Sequence, residues 1–210
     1  MQATTWIDRI SDESNLWMGA NKCEDQRDFA QAVKLYLRDA SDCLARGAAQ
    51  RAALSCSCAA DCLSRLGLPD QGRALYREAA LAYLEGSESR TDSVREMFWC
   101  LKEAWVQYQL AEDSDSAAAV LSRLSTLSRR TDPFPSRPVF LTRPGRVQEL
   151  EKVDPSAPSA RAEVEPAIKR FLEARRSGRY ELHEPARPVA PRKKGARTSA
   201  NEKSIINQLG

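Results

Sequence analysis

The chain has 210 residues, 42% of them hydrophobic and 29% charged, with a formal net charge of +3. That is enough for one domain of ordinary size with an extension, and no run approaches the roughly 18 to 20 consecutive apolar residues of a membrane-spanning helix. Residues 1 to 132 hold 16 Lys+Arg against 20 Asp+Glu and residues 133 to 210 hold 16 against 9, so an acidic front carries a basic arm suited to meet something anionic.

The opening stretch, MQATTWIDRISDESN, has acids where a signal peptide needs a basic start and an apolar run. A soluble, cytoplasmic protein is therefore expected. One helical turn or more is predicted around TWIDRI and a short helix in SNLWMGANKCEDQ. From Asp28 the segment DFAQAVKLYLRDASDCLARG puts Phe29, Ala32, Val33, Tyr36, Ala40, Cys43 and Leu44 on one helical face, with Gly47 as the stop. The next helix runs through AAQRAALSCSCAADCLSRLG and closes at Gly67 and Pro69. DQGRALYREAALAYLEG follows with the stripe Leu75, Tyr76, Ala79 and Tyr83, ending at Gly86. A helix from Thr91 or Asp92 through VREMFWCLKEAWVQYQL comes next, and a last one covers AAAVLSRLSTL after the acidic break EDSDS.

Short loops between these helices force antiparallel neighbours. A pattern repeats 40 residues on: Ala20, Cys23, Ala32 and Tyr36 are answered by Ala60, Leu63, Gly72 and Tyr76. Small residues at fixed places allow helices to cross closely, with tyrosines filling the groove beside them. Three helix pairs, near 14 to 46, 51 to 86 and 93 to 129, would stack, since one pair alone cannot bury its apolar face.

In RDFAQAVKLYLRDA, the order Phe29, Ala32, Tyr36 resembles the second helix of a tetratricopeptide repeat, and GRALYREAALAYLEG is similar through Gly72, Tyr76 and Ala79. The spacing of about 40 is closer to the longer helix pairs of SNAP-type attachment proteins, the adaptors of membrane fusion. The resemblance covers residues 14 to 129, with Pro69 standing where an aromatic would be and the third pair matching poorly. It implies an all-α domain of TPR-like α-solenoid type over residues 1 to 131, whose relatives are protein-binding scaffolds, some in trafficking or membrane-associated assemblies.

Ten of the eleven prolines follow Asp132. Residues 132 to 160 are expected to form an extended, Pro-rich strap that packs back on the repeats through Phe134, Val139, Phe140 and Leu141. A basic amphipathic helix is expected over 161 to 178. It would start near Pro166, carry Ile168, Phe171 and Leu172 amid Lys169, Arg170, Arg175 and Arg176, and end at Gly178. It is suited to capping the open end of the array or to docking on an acidic partner. Residues 179 to 210 read as a disordered basic tail. Ile205, Ile206 and Leu209 form an apolar tip behind a Ser199 and Glu202 capping pair, a candidate short linear motif.

No catalytic constellation appears. The cysteines at 23, 43, 56, 58, 62 and 100 lack CxxC spacing, and the one histidine, His183, lies in the tail, so core packing of reduced thiols is expected rather than a metal or nucleophile site. No phosphate loop, dinucleotide fingerprint, zinc-protease or serine-hydrolase motif occurs. A non-enzymatic adaptor without cofactor or small-molecule substrate is the reading. Its candidate interface is the exposed members of Phe98, Trp99, Trp105 and Tyr108, with Arg129 and Arg130. The alternative is a nucleic-acid accessory protein. Lys169, Arg170, Arg175, Arg176, Arg192, Lys193, Lys194 and Arg197 are the candidate contacts to a polyanion, whether nucleic acid, anionic membrane or acidic protein, and the run at 192 to 194 also has the form of a nuclear address.

Overall fold

A computed structural model of the protein describes residues 15–89, 93–130 and 158–180, which form seven α-helices and no strand. They are α1 (Leu16–Asp25), α2 (Phe29–Ala45), α3 (Ala49–Arg65), α4 (Pro69–Ser89), α5 (Val94–Leu110), α6 (Ser114–Arg130) and α7 (Pro158–Ser177). Three residues suffice for each turn from α1 to α4 and again between α5 and α6.

Those turns share one hydrogen-bond design. A residue at positive φ, Arg27 (62°), Gly47 (72°), Gly67 (72°) or Glu112 (57°), bends the chain out of the helix. The next amide then donates to the carbonyl five residues back: Asp28 to Cys23, Ala48 to Cys43, Leu68 to Leu63 and Asp113 to Tyr108, all within 2.8–2.9 Å. This closes a Schellman motif and satisfies carbonyls the helix end leaves open. Glycine takes the left-handed region freely, whereas Arg27 and Glu112 do so at a cost of about 1 kcal/mol. Arg27, Gly47 and Gly67 lie 20 residues apart, so one helix with its turn is the period and the 40-residue pattern is its double.

The N-termini are fixed by side chains. Asn15 accepts from the Met18 amide, Asp28 from Gln31, Ser93 from Glu96 and Asp113 from Ser116, while Pro69 opens α4, where no N–H is needed.

Each helix from α1 to α5 packs on the next in the sequence, and α7 returns to pack on α2. One core joins α1 through α4 to Val164, Ile168 and Phe171 of α7. A second, containing Tyr83, Leu101, Ala104, Tyr108, Val120 and Leu124, joins α4 to α6. Alanines 20, 32, 40, 52, 59, 60 and 79 are fully buried where helices cross. Gly72 belongs to the same set, because a Cβ there would meet the Ala60 carbonyl oxygen at 3.2 Å.

The repeat is a repeated clamp. The Tyr36 hydroxyl donates to Asn21 Oδ1 at 2.7 Å, and the Tyr76 hydroxyl donates to Asp61 Oδ1 at 2.5 Å; both partners have moved on by 40 residues. Trp17 packs its edge on Tyr36 with centroids 5.2 Å apart, and the Arg51 guanidinium lies over the Trp17 ring. None of the six cysteines is in a disulfide, and 56, 58, 62 and 100 are buried. Burial pushes the Cys43 thiol up to about 11 and those of Cys56 and Cys62 higher still, so they pack as neutral side chains.

Several boundaries differ from the sequence expectation. α4 passes through Gly86 to Ser89, because that glycine serves close packing rather than termination: a Cβ would stand 2.8 Å from Gln50 Cγ. α5 starts at Val94, where Ser93 caps the Glu96 amide. α7 starts at Pro158 and carries Pro166 inside it; the ring is exposed, so the carbonyl it deprives of a donor is on the solvent side. It lies along α2, not over the last pair. The segment TWIDRI, residues 132–157 of the strap expected over 132–160 and the tail beyond 180 lie outside the described residues, while residues 158–160 are the first turn of α7 and not extended chain.

Candidate functional site

Two surfaces hold the residues singled out from the sequence. On α5, Leu101, Ala104 and Tyr108 form the face turned to the second core. Trp99 stands about 200° round the helix from Leu101 and is 43% exposed, with its ring edge against Tyr83 at 5.6 Å. Phe98 is half-buried against the core, and Tyr108 is part of it. Burial pushes the Tyr108 hydroxyl pKa up, and the Asp113 carboxylate adds to the effect. Trp105 is half-buried and lines a cleft of about 540 Å³ with Gln109, Ala117, Ala118 and Leu121. Arg129 and Arg130 are in the last turn of α6, and their side chains are outside the described set.

That cleft lies where the stack has no further helix among the described residues. The α5–α6 turn matches the α3–α4 turn with Tyr108 in place of Leu63 and Asp113 in place of Leu68, an offset of 45. Val106 and Leu121 therefore stand where Asp61 and Tyr76 stand in the second pair. Tyr36 and Tyr76 are 0% and 7% exposed, and Leu121 is 52% exposed. A 40-residue period passes over Leu121, whereas aligning the pairs on their turns finds it.

The second surface is where α7 meets the array. Val164, Ile168 and Phe171, at helical spacing, enter the first core. Arg175 extends the stripe by one turn and is 12% exposed. Its Nε donates to Glu78 Oε2 at 3.1 Å, its Nη1 and Nη2 to the two Glu85 oxygens at 3.0 and 2.6 Å, and Nη1 also to the Tyr180 hydroxyl at 3.3 Å. Burial works against the charge, but the bonds to Glu85 and Tyr180 outweigh it, and the guanidinium pKa moves upward. At the other end Lys34 pairs with Glu163.

Arg175 is thus engaged within the chain, while Lys169, Arg170 and Arg176 of the same helix are exposed. Arg192, Lys193, Lys194, Arg197, Ile205, Ile206 and Leu209 lie outside the described residues. Among the described residues no helix is long and apolar enough to cross a membrane.

No protein-family model, curated protein or solved structure matches the chain. The likeness to tetratricopeptide and SNAP-type repeats rests on the residues alone, and the fold is compatible with a helical repeat.

Proposed function

We propose that the protein is a non-enzymatic adaptor of tetratricopeptide or SNAP-like kind, which takes a partner's amphipathic helix on the end of its third helix pair that no further helix covers among the described residues. The observation that carries this reading is Leu121. Its counterparts in the first two pairs are covered by neighbouring helices, and in the third pair the same position is open beside Trp105, Ala117 and Ala118. A partner helix laid there would continue the stack, as each pair continues the one before it. Trp99 is an exposed aromatic on the same helix as half-buried Trp105, and aromatic side chains in such places are frequent anchors of binding energy.

The test is affinity capture with the full chain, in parallel with Leu121→Asp and Trp105→Ala variants. A discrete protein held by the wild type and lost tenfold or more by Leu121→Asp, with the helical spectrum unchanged, is the expected result. Equal capture by both would sink the proposal, because a charge in the middle of a used apolar contact cannot be neutral.

A further inference from the structure

The two flanks of α7 are built on opposite electrostatic plans. Toward α4, Arg175 meets Glu78 and Glu85. Toward α2 lies a cleft of about 720 Å³ whose charged lining is Lys34 and Arg38 from α2 with Arg170, Glu173 and Arg179 from α7 and its C-terminal turn. Lys34 is already paired with Glu163. Arg38, Arg170 and Arg179 have no side-chain hydrogen bond or ion pair among the described residues, and Glu173 is within ion-pair distance of none of them.

Arg38 and Glu78 are 40 residues apart and so occupy equivalent places on α2 and α4. Glu78 is bonded to an arginine of α7, whereas Arg38 lines a cleft with two arginines of α7 and its C-terminal turn and has no charged partner among the described residues. The negative C-terminal end of α7 accounts for a cation at Arg179. It does not account for Arg38, which projects from the middle of α2. Among the described residues, folding has gathered three exposed guanidinium groups between two helices with no carboxylate in ion-pair distance, an arrangement open to an anion.

The remaining lining narrows the anion's chemistry. Ser41 and Ser177 donate their hydroxyl protons to the carbonyls of Leu37 and Ala174, so recognition rests on guanidinium N–H groups, whose planar fork matches phosphate oxygens in a bidentate way. Leu37 and Phe171 are each 3% exposed, and the remaining apolar lining, Ala167 and Ala174, is of small side chains, a shallow seat for the apolar anchor of an acidic peptide. A compact, multiply charged oxyanion fits better than a peptide.

We propose that the cleft between α2 and α7 binds a phosphoryl group carrying at least two negative charges, held by Arg38, Arg170 and Arg179. The group belongs either to a soluble phosphate ester or pyrophosphate or to the phosphorylated headgroup of a lipid. Because one wall is α2 and the other α7, the ligand bridges them and favours the docked position of α7. Binding to the native state alone raises the melting temperature, by an amount that grows with the logarithm of one plus the ratio of free ligand to Kd.

The experiment uses the full chain. Binding of inorganic pyrophosphate is measured by calorimetry at low salt, and binding to phosphatidylcholine vesicles with and without a phosphorylated inositol lipid is measured by sedimentation. Arg38→Gln and, separately, Arg170→Gln are compared with a Lys169→Gln, Arg176→Gln double variant, which removes two exposed cations of α7 outside the cleft. The expected result is saturable binding that each single variant weakens tenfold or more and the double variant changes less than twofold. Pyrophosphate binding without vesicle binding assigns a soluble ligand; vesicle binding that depends on the phosphorylated lipid and on Arg38 assigns a headgroup. The proposal is overturned by no saturable binding in either arm, by equal losses in the single and double variants, or by tighter binding of single-stranded RNA that Arg38→Gln leaves intact.

Discussion

In the first two helix pairs a tyrosine reaches back to an acceptor on the preceding helix and is sealed by its neighbours; in the third pair the corresponding places hold Val106 and Leu121, and the leucine is open to solvent. Backbone turns of one design, closed by the same hydrogen bond, deliver both outcomes. The turn sets where a helix starts, and the side chains set whether its outer face is finished or left for something else. The first two pairs are finished twice over, since α7 also lies on them.

The largest expected effect separates these regions directly. Tyr36→Ala removes a fully buried ring together with its bond to Asn21 and should destabilise the protein by about 3 to 5 kcal/mol. Leu121→Ala, at the equivalent offset on an open face, should change stability by less than about 0.5 kcal/mol. Urea denaturation of the two variants checks both numbers, and similar losses would mean that the third pair is as closed as the others.

A smaller effect is expected at the α7 contact. Arg175→Ala leaves Glu78 and Glu85 without their shared cation and should loosen α7 by about 1.5 to 3 kcal/mol, the range for hydrogen bonds to charged groups. Hydrogen exchange should then speed up across residues 158–180 while the amides of α5 and α6 keep their protection. Faster exchange throughout would show that α7 is not a separable layer.

The smallest effect is a pH dependence. Cys43 holds its proton to about 11 by burial against an ordinary 9.0, and burial raises Cys56, Cys62 and Tyr36 further. The unfolded chain loses these protons first as pH rises, so the stabilisation is complete below about pH 9 and is lost progressively as pH climbs through the folded values. The urea midpoint should fall between pH 8 and pH 10.5, and Cys43→Ser should reduce the slope. An unchanged midpoint would place these thiols in a wetter environment than the structure gives them.

The helices were legible because their signals are local: apolar spacing in DFAQAVKLYL, glycines at 47 and 67, and a tyrosine recurring at 40. Gly86 misled because a glycine that stops a helix and one that admits a neighbour look alike until Gln50 is in place. Pro166 misled because its ring, exposed on the outer face, costs less than interior prolines usually do. Among the candidate interface residues, Trp99 and Trp105 kept accessible surface while Tyr108 went to the core, a distinction of helical phase that composition does not carry. Arg175 read as a free cation because its partners, Glu78 and Glu85, come about 90 or more residues earlier. Arg38 and Arg179 escaped notice for the same reason, since only the docking of α7 makes them neighbours.

The contacts of α7 also impose an order in time. A stack of consecutive helices can assemble as it is synthesised, but Arg175 reaches Glu78 across 97 residues and Glu163 reaches Lys34 across 129. At ordinary translation speeds the ribosome needs on the order of ten seconds to extend the chain from the end of α4 to the end of α7. Through that interval the face of α2 and α4 stands complete and bare, with Glu78 and Glu85 awaiting a cation. Until α7 emerges, any other amphipathic helix bearing an arginine one turn beyond its apolar stripe can take the place; afterwards the tether gives the protein's own helix the advantage of an intramolecular contact.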